Sequence, residues 1–166
     1  MAKRVAKIGV FVALAMVFSY IEVLIPFHFG IPGVKLGIAN IVVVTALYQL
    51  NVKDVFIISL VRIFLMGILF GNGVSLIYSL AGGMLSLCVM LVCKGTDWFS
   101  VIGVSVAGGV SHNIGQILAT AFVIHNSNIL YYLTVLSVAG IVTGLLIGFL
   151  SKNIISAMKQ IDNQFI

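Results

Sequence analysis

Charge is what this chain of 166 residues has least of: nine Lys or Arg and four Asp or Glu. A soluble chain of this length carries about 40 charged side chains at roughly 25% of its residues. With 61% hydrophobic residues and a mean hydropathy of +1.25, too little polar surface remains to wrap a water-soluble core. Lipid is the solvent that this composition fits. The four acids are Glu22, Asp54, Asp97 and Asp162, and no two lie within a helical turn of each other. That leaves little material for carboxylate chemistry.

Further absences narrow the function. No GxxxxGKS or GxxxxGKT occurs, so ATP cannot be bound in the P-loop manner. No DDxxD-like cluster exists to hold magnesium and a diphosphate. Cys88 and Cys93 stand five apart without a neighbouring His or Asp, and read as small apolar packing residues rather than metal ligands. No Ser/His/Asp set can be nominated. The sequence therefore names no catalytic residue, no metal site and no cofactor. The net charge of +5 does not indicate nucleic acid either, because the basic residues form no patch with interleaved aromatics.

What is present is a series of apolar runs. A bilayer crossing needs roughly 20 apolar residues, with about 17 as a lower limit. Runs at 8–25, 36–50, 55–70, 74–92, 98–124 and 129–150 predict an all-α polytopic membrane protein with six transmembrane helices in a single integral membrane domain, 1–166. The second run is short, or partly re-entrant. Pro26, Pro32 and Gly33 break the chain between the first two runs, Gly71 to Gly73 read as a turn, and the tail after Leu150 as an interfacial extension of the last span. The first run is too long for a signal peptide and lacks a convincing cleavage site. With both termini cytoplasmic, Lys3, Arg4, Lys7, Lys53, Lys94, Lys152 and Lys159 fall inside and only Lys35 falls in an outer loop. This obeys the positive-inside rule, and Tyr48, Trp98, Tyr131 and Tyr132 fall at span ends as an aromatic belt would.

The fifth run is the most informative. Gly109, His112, Asn113, Gln116 and Thr120 fall within about a 100° arc, at 100° per residue. Gly103, Ala107, Ser111 and Gly115 step by four along the opposite face, small enough for close helix contact. Unpartnered polar groups in hydrocarbon cost several kcal/mol each. The stripe therefore meets either an interhelical hydrogen-bond network or a cavity and its ligand. Glu22, Asn40 and Arg62 lie at similar depths, in the outer half, with Arg62 about 12 Å from the outer end at 1.5 Å per residue. Arg62 either pairs with Glu22 or meets an anionic or carbonyl-bearing ligand. His28 and Lys35 stand near the mouth. Gly140, Gly144 and Gly148 form a GxxxGxxxG row that permits close helix approach. In the first span Ala2, Ala6, Gly9 and Ala13 share about a 60° arc at 100° per residue, for internal packing or for docking a partner.

PGVKLGIANIVVV (Pro32 to Val44) and GGVSHNIGQILAT (Gly108 to Thr120) resemble the Gx transporter family, which carries the label heptaprenyl diphosphate synthase component I. The resemblance covers about residues 5–155 and extends to the substrate-binding S components of energy-coupling factor (ECF) transporters. It implies a six-helix bundle in the cell membrane, an outward-facing pocket, and a small-residue face on helix one that docks on a transmembrane coupling protein served by separate ATPases. That face here is Ala2, Ala6, Gly9 and Ala13. The resemblance also implies a flavoprotein or other redox-linked partner as an alternative, and its label a role in prenyl diphosphate synthesis.

The expected function is capture of a small organic molecule from outside by a non-enzymatic S-component-like protein. Ligand candidates are Glu22, Lys35, Asn40, Arg62, His112, Asn113, Gln116 and Thr120. The alternatives are a membrane anchor for a flavin- or quinone-linked electron-transfer system and a non-catalytic subunit of heptaprenyl diphosphate (menaquinone side chain) synthesis. No repeat between the halves suggests a secondary carrier.

Overall fold

The computed structural model describes residues 2–24 and 37–164. Among the described residues there are six α-helices, one 3₁₀ helix and no strand. They are α1 (Ala2–Leu24), α2 (Asn40–Gln49), α3 (Val52–Phe70), α4 (Gly73–Gly95), α5 (Val101–Ile124) and α6 (Leu133–Gln164), with the 3₁₀ helix at Ser127–Tyr132. The loop with Pro26, His28, Pro32, Gly33 and Lys35 lies outside the described residues.

The all-α expectation holds. Four segments are long and apolar enough to cross a membrane: α1, α4, α5 and Ser127–Ile161, which takes in most of α6. The chain is thus a multi-pass membrane protein. α3 has 19 residues but carries Lys53, Asp54 and Arg62. α2 has only ten residues and reaches about 15 Å, half the roughly 30 Å of hydrocarbon.

α2 is the centre of the core. Ile41 through Leu47 are all buried, as expected of a helix that is apolar all round. Phe11 and Ala15 of α1, Val55 and Ile58 of α3, Leu87 and Met90 of α4, Val104 of α5 and Ile147 of α6 join it. Ser151 of α6 donates to the Ile41 carbonyl at 3.3 Å. At the far end Lys94 of α4 donates to the Leu47 carbonyl at 2.6 Å and lies 5.0 Å from the Tyr48 ring centroid. A cation on the last carbonyls of a helix satisfies orphan acceptors and suits the helix dipole. Arg4 of α1 pairs with buried Asp54 in the first turn of α3, at 3.0 and 3.1 Å from its Nε. Two basic residues that serve the orientation signal therefore also hold the helices in register.

α5 is clamped on both sides. A Cβ on Gly144 of α6 would lie 2.7 Å from Val106 Cα, and one on Gly148 2.7 Å from Ile102 Cα. The glycine row on α6 is therefore the seam against α5, with backbone on backbone. On the other side, a Cβ on Gly115 would lie 2.9 Å from the Ala81 carbonyl of α4. Ala2, Ala6, Gly9 and Ala13 on α1 are exposed, and a Cβ on Gly9 would meet nothing within 4 Å. Among the described residues nothing covers that face at Gly9.

The turns are built by local chemistry. α4 opens with a reciprocal capping box, Asn72 accepting from Ser75 N–H at 2.8 Å and Ser75 accepting from Asn72 N–H at 3.0 Å. α5 closes on His125, whose φ of 53° is left-handed. That conformation suits glycine best. His125→Gly is expected to raise stability by about 1 kcal/mol, read as a higher midpoint in thermal unfolding of the purified protein.

Candidate ligand-binding site

The last turns of α1, the start of α2, the second half of α3, the start of α4 and the middle of α5 enclose a cavity of about 420 Å³. That size belongs to the range of small-molecule pockets. Ser19, Glu22 and Val23 line it from α1, Gly37 and Asn40 from the entry to α2, and Arg62, Ile63, Met66, Gly67 and Phe70 from α3. Asn72, Ser75 and Ser79 contribute from the start of α4, and His112 and Gln116 from α5. The wall is mixed: apolar along α3 apart from Arg62, and mostly polar on the facing helices.

Glu22 and Gly37 join two sides of the cavity. Gly37 N–H donates to Glu22 Oε1, and the Gly37 carbonyl accepts from Asn40 N–H at 2.8 Å. Gly37 has a φ of +70°, which an L side chain resists. A Cβ there would also lie 3.3 Å from Asn40 Nδ2. Gly37→Ala is expected to cost about 1–2 kcal/mol, measured as a lower unfolding midpoint, and to loosen the Glu22 contact.

Arg62 is half-buried, but its Nε is fully covered and has no hydrogen-bond partner among the described residues. Glu22 acts on it electrostatically, yet no ion pair at contact distance joins the two. Gln116, buried to 6% exposure, has an Oε1 with no partner among the described residues. An uncompensated buried donor or acceptor costs roughly 1–3 kcal/mol. The cavity thus presents one charged donor and one amide acceptor, neither with a hydrogen-bond partner among the described residues. Gly82 of α4 lets α5 approach this closely: a Cβ there would lie 2.6 Å from Gln116 Cγ and 2.8 Å from the His112 carbonyl oxygen.

The polar stripe on α5 does not face one way. His112 and Gln116 line the cavity. Asn113 is buried on the α6 side, where its Nδ2 donates to the Leu136 carbonyl at 2.7 Å. Thr120 donates to the Gln116 carbonyl of its own helix at 2.8 Å and is not in the lining. Gly109 packs against Gly140, where a Cβ would lie 2.6 Å from the Gly140 carbonyl. A 100° arc is wide enough to span two neighbours, and here it does. Lys35 lies outside the described residues.

Ser19, Asn72, Ser75 and Ser79 line the cavity without having been singled out in the sequence. A signal existed: Ser75 and Ser79 are four apart on one helix face, and Asn72 precedes Ser75 by three. Among the described residues no three His, Cys, Asp or Glu side chains gather as a metal site.

These features define a class: an all-helical, multi-pass membrane protein with a mixed polar and apolar cavity at one end of its bundle. The family model for heptaprenyl diphosphate synthase component I matches residues 11–154, and the chain belongs to that family. No curated protein and no solved structure matches it.

Proposed function

We propose that the chain is the membrane-embedded binding component of an uptake system, holding a small organic molecule in the cavity around Arg62 and Gln116. The observation that carries this reading is a pair of buried polar atoms without a hydrogen-bond partner among the described residues, Arg62 Nε and Gln116 Oε1, in the lining of one cavity. Glu22, Asn40 and His112 complete the polar wall, and Asn113 and Thr120 hold it from behind. In this reading the chain makes six crossings of the cell membrane with both termini cytoplasmic. α2 is then a buried short crossing, and α3 is a crossing that turns Arg62 inward and keeps Lys53 and Asp54 at its cytoplasmic end. The mouth opens outward. The chain itself is no enzyme; ATP is hydrolysed by separate subunits of ECF type. The exposed face of Ala2, Ala6, Gly9 and Ala13 docks the coupling protein.

Purification from native membranes, with mass spectrometry of whatever accompanies the chain, tests this. A bound small molecule together with an ATPase pair and a coupling protein is the expected result. A protein that arrives without any small molecule, and with neither of those subunits, would overturn it.

The family description favours a second reading, a non-catalytic membrane subunit of heptaprenyl diphosphate synthesis. It predicts a soluble partner that forms product only when this chain is added. No feature of the cavity favours the anchor of a flavin- or quinone-linked system over these two.

A further inference from the structure

We infer that the molecule held in the cavity meets Gln116 with an amide edge: an N–H donor and, beside it, a carbonyl oxygen or ring nitrogen as acceptor. This rests on the binding role proposed above and adds the chemical class. Gln116 is buried, yet it belongs to the cavity wall. Among the described residues its one hydrogen bond outside the helical ladder is that of its main-chain carbonyl with Thr120 Oγ1, at 2.8 Å. The side-chain amide is therefore unbonded at both of its polar atoms, Oε1 being the covered one. Gly82 of α4 holds the stem of that side chain, since a Cβ there would lie 2.6 Å from Gln116 Cγ. The last torsion of a glutamine is broad and two-fold, so the head turns on a fixed stem and brings both atoms to the cavity.

The chemistry of that head selects its partner. A side-chain amide carries an acceptor oxygen and two N–H donors in one plane. An ionised carboxylate or phosphate only accepts, and leaves Oε1 without a partner. An ammonium only donates, and leaves Nε2 without one. A prenyl chain answers neither. An amide edge answers both in two parallel hydrogen bonds, as glutamine does with the edge of adenine. A vicinal diol also offers a donor and an acceptor. However, Ile63, Met66 and Phe70 of α3 give the same cavity an apolar wall, which suits the flat face of a ring and not a polyol.

The test uses the full chain, exhaustively washed, in nanodiscs of phosphatidylcholine, with the thermal midpoint against probe concentration as readout. Uracil, caprolactam and pyridone are each paired with the compound methylated at every ring nitrogen, which keeps the ring and the carbonyl and loses the N–H. Ribitol represents polyols. Small molecules released by denaturing a native-membrane preparation are offered as a further probe.

At least one N–H compound is expected to raise the midpoint, at a concentration roughly tenfold or more below that of its methylated partner. In Gln116→Leu and Gln116→Glu that preference is expected to fall to near one. Gln116→Leu buries no charge, so it keeps the test open if Gln116→Glu does not fold. A purely structural role for Gln116 would leave the preference as it is. Equal responses to the two members of each pair overturn the amide edge, as does a preference that survives Gln116→Leu or a stronger response to ribitol. A response to the membrane extract, with none to the amides, also overturns the class while leaving a binding protein in place. No response to any probe, the extract included, overturns the binding role itself.

Discussion

Gly144→Leu is expected to separate α5 from α6 and lower stability by about 3 kcal/mol or more, read as a collapse of the thermal midpoint of the purified protein. The reason is that nothing at the contact can yield. A Cβ on Gly144 would lie 2.7 Å from Val106 Cα and 3.1 Å from the Ser105 carbonyl oxygen, and backbone atoms have no rotamer to change. Without a hydrophobic driving force between helices in lipid, close packing is what holds them together, so a lost seam has no substitute. Gly144→Ala is expected to fall between. Gly9→Leu is the control: a Cβ there meets nothing within 4 Å, so the bundle keeps its stability. An unchanged midpoint for Gly144→Leu would mean that the α5–α6 seam is not the close contact described.

Gln116→Leu is expected to move stability and binding in opposite directions. Gln116 is 6% exposed, and its Oε1 has no partner among the described residues. Leucine has a similar volume and no polar atom to desolvate, so the apo protein gains about 1–2 kcal/mol. Binding of the co-purifying molecule falls, because the acceptor it would use is gone. Arg62→Met is expected to reduce binding further, since hydrogen bonds to a charged group are the stronger ones. A Gln116→Leu protein that is more stable and still binds as wild type would leave the cavity without its proposed acceptor. The opposed signs are what a functional site produces when it keeps a group that folding alone would discard.

The reading from sequence reached the helices better than their neighbours. Six apolar runs separated by short polar turns sufficed to place six helices, because hydrophobic run length is the dominant signal when lipid is the solvent. The ends were less legible. α1 starts at Ala2, well before the apolar run at Ile8, and α6 continues to Gln164. Lys3, Arg4 and Lys7 depress a hydropathy window, yet lysine and arginine are good helix formers. The site divides the same way. Arg62, Glu22, Asn40, His112 and Gln116 could be singled out because polar groups in an apolar run stand out, and the structure sets all five around one cavity. Which neighbour each meets is a different question. Asn113 is adjacent to His112 in sequence, yet it turns to Leu136, because the two sides of one arc face different helices. The Arg4–Asp54 pair joins residues 50 apart, and Lys94 reaches a carbonyl 47 residues away. No periodicity encodes such pairings, and a tally of basic residues by loop gives both cations to topology.

The central helix has a consequence for how the protein is made. α2 is ten residues long and buried from Ile41 through Leu47. A segment of that length reaches only about half the hydrocarbon thickness, so it cannot settle in a bilayer as an independent unit. Apart from Phe11 and Ala15 of α1, it gains its surroundings from elements synthesised after it: α3, the Lys94 end of α4, and Ile147 and Ser151 of α6. Biogenesis therefore has to keep the middle of the molecule waiting for its periphery, and α6, synthesised well after α2, completes its seat.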